Sequence, residues 1–135
     1  MFNIFDVSGS AMNAQSIRLN TVASNLANAD TISSSPDTVY QAKHPIFSEL
    51  LQEEGSKQRA SGVQVKEIIE SKAPPLIRYE PNHPLADEKG NIYSPNINMV
   101  EEMANMMSAS RSYQNNVEVF NTSKQLLMAT LNLGR

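Results

Sequence analysis

Apolar residues recur with helical spacing near the start of the chain. Phe5, Met12, Leu19 and Leu26 follow one another every seven residues, which is the spacing of one helix face. The pattern predicts an amphipathic helix from about residue 6 to about residue 28. Beyond it, short polar side chains and a proline interrupt the periodicity and predict a turn.

A longer apolar pattern occupies the end of the chain. Its members alternate in steps of four and three, which is typical of a heptad seam; they are Met99, Met103, Met106, Ser110, Tyr113, Val117, Phe120, Lys124, Leu127 and Leu131. Asn98 is a favourable N-cap, Glu101 stands at the third helical position of a capping box, and Gly134 is a stop signal. The sequence therefore predicts a helix over about residues 98–133, roughly 50 Å long.

The middle of the chain has a different character. It holds all seven prolines and most of the charged residues. Alternating polarity predicts a strand over 63–69, with shorter strands possible at 39–42 and 76–79, and 52–59 is predicted as an exposed loop.

These patterns together predict the fold class. We expect a mainly α protein whose long N- and C-terminal helices pair as a coiled-coil-like hairpin, with a small strand- and loop-rich insert between them. The predicted divisions are 1–32 for the N-terminal helix, 33–95 for the insert and 96–135 for the C-terminal helix. The two helices would form one axial domain.

The polar faces of the terminal helices carry very little charge. From Met1 to Ser35 the ionisable side chains are Asp6, Arg18 and Asp30. A helix on the outside of a soluble monomer normally presents Lys, Glu and Arg to water, whereas amide and hydroxyl groups can be covered if their hydrogen bonds are satisfied. The pattern indicates that neighbouring protein subunits cover these faces.

Composition narrows the function classes further. The net charge is -3 and no cluster of Lys or Arg could follow a phosphate backbone, so we expect no nucleic acid partner. No apolar run has the roughly 18 residues of a membrane-spanning helix, so direct membrane insertion is not expected. The first residues lack a basic region and cleavage site, and any export is expected to proceed without a cleaved signal peptide.

No set of residues predicts catalysis, a cofactor or a metal site. His44 and His83 each precede a proline and lack neighbours at metal-ligand spacing. Glu101 and Glu102 are adjacent, and we interpret them as solvated or favourable to the helix dipole rather than as a general acid and base. An enzyme is therefore not expected.

Two stretches resemble a known family. Residues 23–31, Ala-Ser-Asn-Leu-Ala-Asn-Ala-Asp-Thr, are similar to the N-terminal signature of flagellar rod and hook proteins. A second, longer resemblance is to the proximal-rod proteins of the bacterial flagellar basal body, and it covers residues 79–87, Gly90, 94–103 and 108–121. The chain departs from the family pattern at Asn91, where an aromatic residue is usual and Tyr93 follows two residues later, and over 33–59, where no match is found.

The resemblance implies a non-enzymatic structural subunit of the proximal rod, which links the membrane ring to the hook in the periplasm and transmits torque. It implies export by the flagellar type III apparatus. The expected partners are other proximal and distal rod proteins, the adaptor between rod and membrane ring, and further copies of the chain.

Two alternatives stay open: a secreted helical-hairpin or adaptor protein, and an ordinary helical hairpin whose seam is only its own core. A membrane-surface protein would need Lys and Arg on the polar face.

We predict that the subunit interface uses both helices. Asn amides would bridge to an adjacent subunit, methionines would adapt to non-identical neighbours, and polar seam residues would set register. The predicted interface residues are Leu19, Asn20, Val22, Asn25, Leu26, Ala27, Asn28, Thr31, Met99, Met103, Met106, Ser110, Arg111, Tyr113, Asn116, Val117, Phe120, Asn121, Lys124, Leu127 and Leu131.

Overall fold

The computed structural model describes residues 2–54 and 57–134, and it contains two long helices and two antiparallel two-stranded sheets. In chain order the elements are helix α1 (Phe2–Asn28), a 3-10 turn (Pro36–Thr38), strands β1 (Lys43–Glu54), β2 (Lys57–Glu70), β3 (Leu76–Tyr79) and β4 (Asn91–Ser94), and helix α2 (Met99–Leu133). Neither helix, over the residues described, is long and apolar enough to cross a bilayer.

The helix ends follow the sequence signals closely. The Asn98 side chain accepts hydrogen bonds from the backbone N–H groups of Val100 (3.1 Å) and Glu101 (3.3 Å), which confirms the predicted N-cap of α2. Helix α2 ends at Leu133 and α1 ends at Asn28, as predicted. Helix α1 begins at Phe2, a few residues earlier than predicted.

The predicted fold class is wrong. Four strands in two sheets separate the two helices, so the chain is not a mainly α hairpin with a small insert. Its insert contains a hairpin of two long strands, β1 and β2, that packs against α1. The two helices contact each other, but only some residues of the predicted heptad seam, such as Phe120, take part, so the expected coiled-coil-like pairing holds only in part.

The β1–β2 hairpin was underestimated because much of it does not alternate in polarity. A two-stranded sheet that leaves most of its surface in water is held by backbone pairing and tolerates charged side chains. Its register runs from Lys43 opposite Glu70 to Glu54 opposite Lys57, with shifts after Ile46 and after Leu50. The hairpin therefore includes most of the residues predicted as a loop.

Individual strand predictions had mixed outcomes. The strand predicted at 63–69 lies within β2, and the one at 76–79 is β3. The strand at 39–42 is wrong, because this segment precedes β1 and buries Val39 and Ala42 without entering a sheet. The loop at 52–59 is wrong where the strands are described, whereas Gly55 and Ser56 lie outside the described residues.

The small β3–β4 sheet contains a strand that the sequence did not reveal. Leu76 pairs with Ser94 and Tyr79 with Asn91. Between the strands, Gly90 has a φ of 80°, and a Cβ there would press on the side chain of Tyr79 and on Pro81. The glycine therefore permits the turn that returns the chain to β4 and onward to α2.

An acidic side chain holds the same turn together. The Asp87 carboxylate accepts hydrogen bonds from the backbone N–H groups of Asn91 (2.8 Å) and Lys89 (2.9 Å) and from the Tyr93 hydroxyl (2.9 Å). The hydrogen bond from Asn91 is the main cause that lowers the pKa of Asp87 below its usual value of 3.8. The pKa of Tyr93 is raised, because its hydroxyl proton is held by this carboxylate.

The core is made mainly of small side chains. Its buried apolar residues are Ala14, Val22, Ala29, Val39, Ala42, Ile92 and Ala109. Many larger apolar side chains stay exposed, including Ile77 and Leu131. The fold of one subunit therefore leaves much of its apolar surface uncovered.

Candidate subunit interface

Asn25, in the last two turns of α1, is fully buried and lies where three elements meet. Its Nδ2 donates to the backbone oxygen of Lys43 (2.9 Å) and to the carboxylate of Glu102 (3.2 Å). Its Oδ1 accepts from the backbone N–H of Lys43 (2.8 Å) and from the hydroxyl of Tyr40 (3.0 Å). An amide has two donor hydrogens and two acceptor positions, so Asn25 uses its full capacity inside the subunit.

Glu102, in the first turns of α2, is also buried, with 7% of its surface exposed. A carboxylate is costly to bury unless it is hydrogen-bonded, and the Asn25 amide supplies such a bond. The interpretation of Glu102 as a solvated or dipole-favourable residue is therefore incomplete. It belongs to a buried polar junction that joins α1 to α2.

The contact between the helices is lined mostly by small and polar residues. Along α2, Glu102, Ala109 and Ser123 are the buried positions, and they share one face because they are seven and fourteen residues apart. The Arg18 guanidinium on α1 reaches across to the amide oxygen of Asn105. Near the other end, the rings of Phe5 and Phe120 meet edge to face, with centroids 5.0 Å apart. Small residues let the helix backbones approach, and most of the larger apolar side chains of α2 lie outside this contact.

The exposed face of α1 is almost without charge. Asp6 is the one charged residue among the exposed positions described between Asn3 and Asn28. Asn13, Asn20 and Ala27 lie on this face at seven-residue spacing. Such a face can be covered by another protein without burying an unpaired charge.

The exposed surface of α2 is rich in large apolar side chains. They are spread along the whole helix and are Met99, Val100, Met103, Met107, Tyr113, Val119, Leu126, Met128, Leu131 and Leu133. A groove of about 410 Å³ also lies between the helices, lined by Asn3, Ile4, Val7, Ser8, Asn116 and Val119. These surfaces are the natural candidates for contact with other subunits.

The structure distributes the predicted interface residues over three degrees of exposure. Val22 and Asn25 are buried inside the subunit. Half-buried are Leu19, Leu26, Asn28, Met106, Ser110, Asn116, Val117, Phe120 and Leu127. Exposed are Asn20, Ala27, Thr31, Met99, Met103, Arg111, Tyr113, Asn121, Lys124 and Leu131.

The sequence interpretation missed the partners of Asn25. Tyr40 lies in the segment predicted as a strand and Lys43 follows it, and no local signal connects either residue with α1. Glu102 could have been found from the spacing in multiples of seven residues that it shares with Ala109 and Ser123, because this row of small and polar residues marks the face turned toward α1.

Two family models match the ends of the chain. One, described as flagella basal body rod protein, matches residues 5–32, and the other, described as flagellar basal body rod FlgEFG protein C-terminal, matches residues 88–133. Both place the chain in the class of flagellar basal-body rod proteins. The matched regions contain α1 and α2, whose exposed surfaces are described above.

Similar proteins narrow the class to one family. The chain is 51% identical to the flagellar basal-body rod protein FlgC of Escherichia coli O6:H1 over 136 residues, which cover 100% of the chain and 98% of the relative. It is 49% identical to FlgC of Salmonella typhimurium, again over 100% and 98%, and 41% identical to FlgC of Aquifex aeolicus, over 96% and 94%. The chain belongs to the FlgC family of flagellar basal-body rod proteins.

Membership confirms the resemblance found in the sequence and the function it implied. The chain is a structural subunit of the flagellar rod, located in the basal body and assembling with other rod components. Among the side chains that the structure describes, those of residues 3–51 and 61–134, no three His, Asp or Glu lie close enough together to hold a metal ion.

Proposed function

We propose that this subunit assembles into the proximal rod through the exposed apolar side chains of α2 and the uncharged exposed face of α1. Torque would then pass from subunit to subunit through many buried contacts along the two helices. The β1–β2 hairpin would lie outside this helical wall or bridge to a neighbour.

The end of α2 supports the proposal most directly. Between Gln125 and Leu133 there is no charged residue, and Leu126, Met128 and Leu131 are 60%, 55% and 61% exposed. These three side chains do not lie on one face, so the helix end is apolar on several sides. A helix of this kind is normally surrounded by protein or lipid. In a family of rod proteins, neighbouring subunits are the fitting cover.

The beginning of α2 offers a second surface of different character. Met99, Met103 and Met107 follow one another at four-residue spacing and are 43%, 55% and 66% exposed. Methionine side chains are flexible and polarizable, so one surface can pack against neighbours of different shape. This suits a rod in which the subunit meets non-identical partners.

The partners that follow from this proposal are the other proximal and distal rod proteins, the adaptor between rod and membrane ring, and further copies of the chain. The route to the assembly site would be the flagellar type III export apparatus, without a cleaved signal peptide. The predicted interface residues Asn20, Ala27 and Leu131 are exposed, which fits their proposed role. Asn25 would act from inside the subunit, because its amide is fully used there.

A matched pair of substitutions tests the apolar contact. Leu131→Glu puts a charge on a side chain that the proposal buries between subunits, whereas Asn132→Glu puts the same charge on the next, exposed polar residue. Both variants would be expressed in a strain that lacks the gene, and incorporation would be measured in purified basal bodies together with swimming. We expect Leu131→Glu to abolish incorporation and Asn132→Glu to retain it.

The stability of the two variant subunits must also be measured, so that a folding defect is not mistaken for a lost contact. Because both positions are exposed, the free energy of unfolding of each variant should stay within about 0.5 kcal/mol of the original chain. Basal bodies that contain Leu131→Glu at the normal level would refute the contact. If both variants fail equally to enter the basal body, the contact between subunits does not depend on burial of the apolar Leu131 side chain.

A further inference from the structure

The orientation of the Asn25 amide is set from outside α1. Its oxygen faces two donors, the Lys43 N–H and the Tyr40 hydroxyl, and its nitrogen faces two acceptors, the Lys43 carbonyl and the Glu102 carboxylate. A flipped amide would oppose acceptor to acceptor and donor to donor. Asn25 therefore has one favourable orientation, and Glu102 contributes to it.

Lys43 is the residue at which the β1–β2 hairpin begins. The Asn25 side chain accepts from the N–H of Lys43 and donates to its carbonyl, as the backbone of a paired strand would do. These two hydrogen bonds hold the start of β1 against α1. A second attachment is made by Ser10, whose hydroxyl accepts from the backbone N–H of Val63 in β2. The hairpin is thus attached to α1 by hydrogen bonds at two separate places along the helix.

Glu102 brings the second helix into this attachment. It lies on α2, 77 residues from Asn25 in the chain, and accepts the hydrogen of Nδ2 that Lys43 does not use. If α2 moves away from α1, the Asn25 amide loses one of its four hydrogen bonds in a buried place. A buried donor without an acceptor is unfavourable in free energy, and this donor belongs to the same amide that holds Lys43.

We propose that Glu102 is a positioning residue that couples the placement of the β1–β2 hairpin to the pairing of α1 with α2. Through Asn25, the closed helix pair holds the hairpin at a fixed position along α1, and an open pair releases its first residues. The inference extends the proposed function, because the hairpin position decides which surface a neighbouring rod subunit meets. Its test is measured inside the subunit and does not depend on rod assembly.

The experiment is hydrogen exchange of individual backbone amides in the full-length chain, followed by NMR. In Glu102→Ala we expect the Lys43 amide to exchange about tenfold faster, while the Ala109 amide in the middle of α2 changes much less. Glu102→Gln should restore the protection of Lys43, because its amide oxygen can accept from Asn25 Nδ2. Glu101→Ala, at the exposed neighbouring position, is the matched control and should leave Lys43 unchanged.

Several results would overturn the proposal. Equal acceleration of the Lys43 and Ala109 amides in Glu102→Ala would mean that Glu102 affects only general stability. Unchanged protection of Lys43, or a Lys43 amide that is unprotected in the original chain, would mean that the coupling does not exist. If Glu102→Ala does not fold, Glu102→Asp withdraws the carboxylate by one methylene and is judged by the same outcomes.

Discussion

The two long helices of this subunit have opposite surroundings. Helix α1 lies between α2 and the β1–β2 hairpin, and it buries Ala14, Val22 and Asn25. Helix α2 is longer, buries only Glu102, Ala109 and Ser123 within the described residues, and leaves most of its large apolar side chains in solvent. The helix with the longer apolar pattern is thus the one less covered inside its own subunit.

This difference separates two uses of an amphipathic helix. The face of α1 that carries apolar and amide groups is used to build the subunit, since α2, the hairpin and the Tyr40–Lys43 segment cover it. The apolar residues of α2 exceed what α1 covers, and in the proposed assembly they contact other rod proteins. Substitutions at the buried positions of α1 should therefore act on the stability of the subunit, and substitutions at exposed positions, above all those of α2, should act on the rod.

The largest effect is expected for Asn25→Asp. The change removes both donors of the amide and places a carboxylate against the Lys43 carbonyl and Glu102, which should lower the free energy of unfolding by at least about 3 kcal/mol. Asn82→Asp, at an exposed turn, should change it by less than about 0.5 kcal/mol. Urea unfolding gives the free energies and swimming gives the effect on the rod, and equal motility of the two strains would contradict the assignment.

A smaller effect is expected where the hairpin meets α1. Gly62→Ala would place a Cβ against the Ser10 side chain, and this overpacking should cost about 1–3 kcal/mol. Gly9→Ala is the matched control, because no atom lies within 4 Å of a Cβ there, and it should stabilise the helix by about 0.5–1 kcal/mol. Thermal unfolding of both variants measures the difference, and a neutral Gly62→Ala would show that the hairpin is not held closely on α1.

The pairing of the helices can be measured at their aromatic contact. A double-mutant cycle of Phe5→Ala and Phe120→Ala should give a coupling of about 0.5–1.5 kcal/mol for the edge-to-face rings. A second cycle that combines Phe5→Ala with Phe47→Ala on β1 serves as the control and should be additive. Additive behaviour in the first cycle would indicate that the helices separate at this end in solution.

The smallest change in stability is expected when the pH is lowered. It should be confined to the β3–β4 turn and leave both helices unchanged. The folded pKa of Asp87 lies below 3.8, so its carboxylate stabilises the β3–β4 turn above the unfolded pKa, and this contribution is lost as pH falls through the folded pKa. In an NMR titration the amide of Asn91 should shift with a midpoint below 3.8, while that of Ala109 should not follow it. Asp87→Asn should abolish the transition, and a midpoint at or above 3.8 would contradict the proposed hydrogen bonds.

How much could be predicted differs between elements. The limits of α2 followed from Asn98 and Gly134, because capping depends on neighbours within one turn. The hairpin was mostly missed, because pairing of β1 with β2 depends on backbone groups whose side chains need not alternate in polarity. The interface prediction placed Asn25 between subunits, whereas its amide is used up by Lys43, Tyr40 and Glu102.

The two long terminal helices and the resemblance to flagellar rod proteins can be predicted from the chain alone, because helical periodicity, caps and family motifs are local features. The face of α2 that meets α1, the place where the hairpin attaches and the burial of Glu102 are known only from the folded subunit. Those outcomes depend on contacts between residues far apart in the chain, where a row of small side chains allowed close approach and larger apolar groups were left outside.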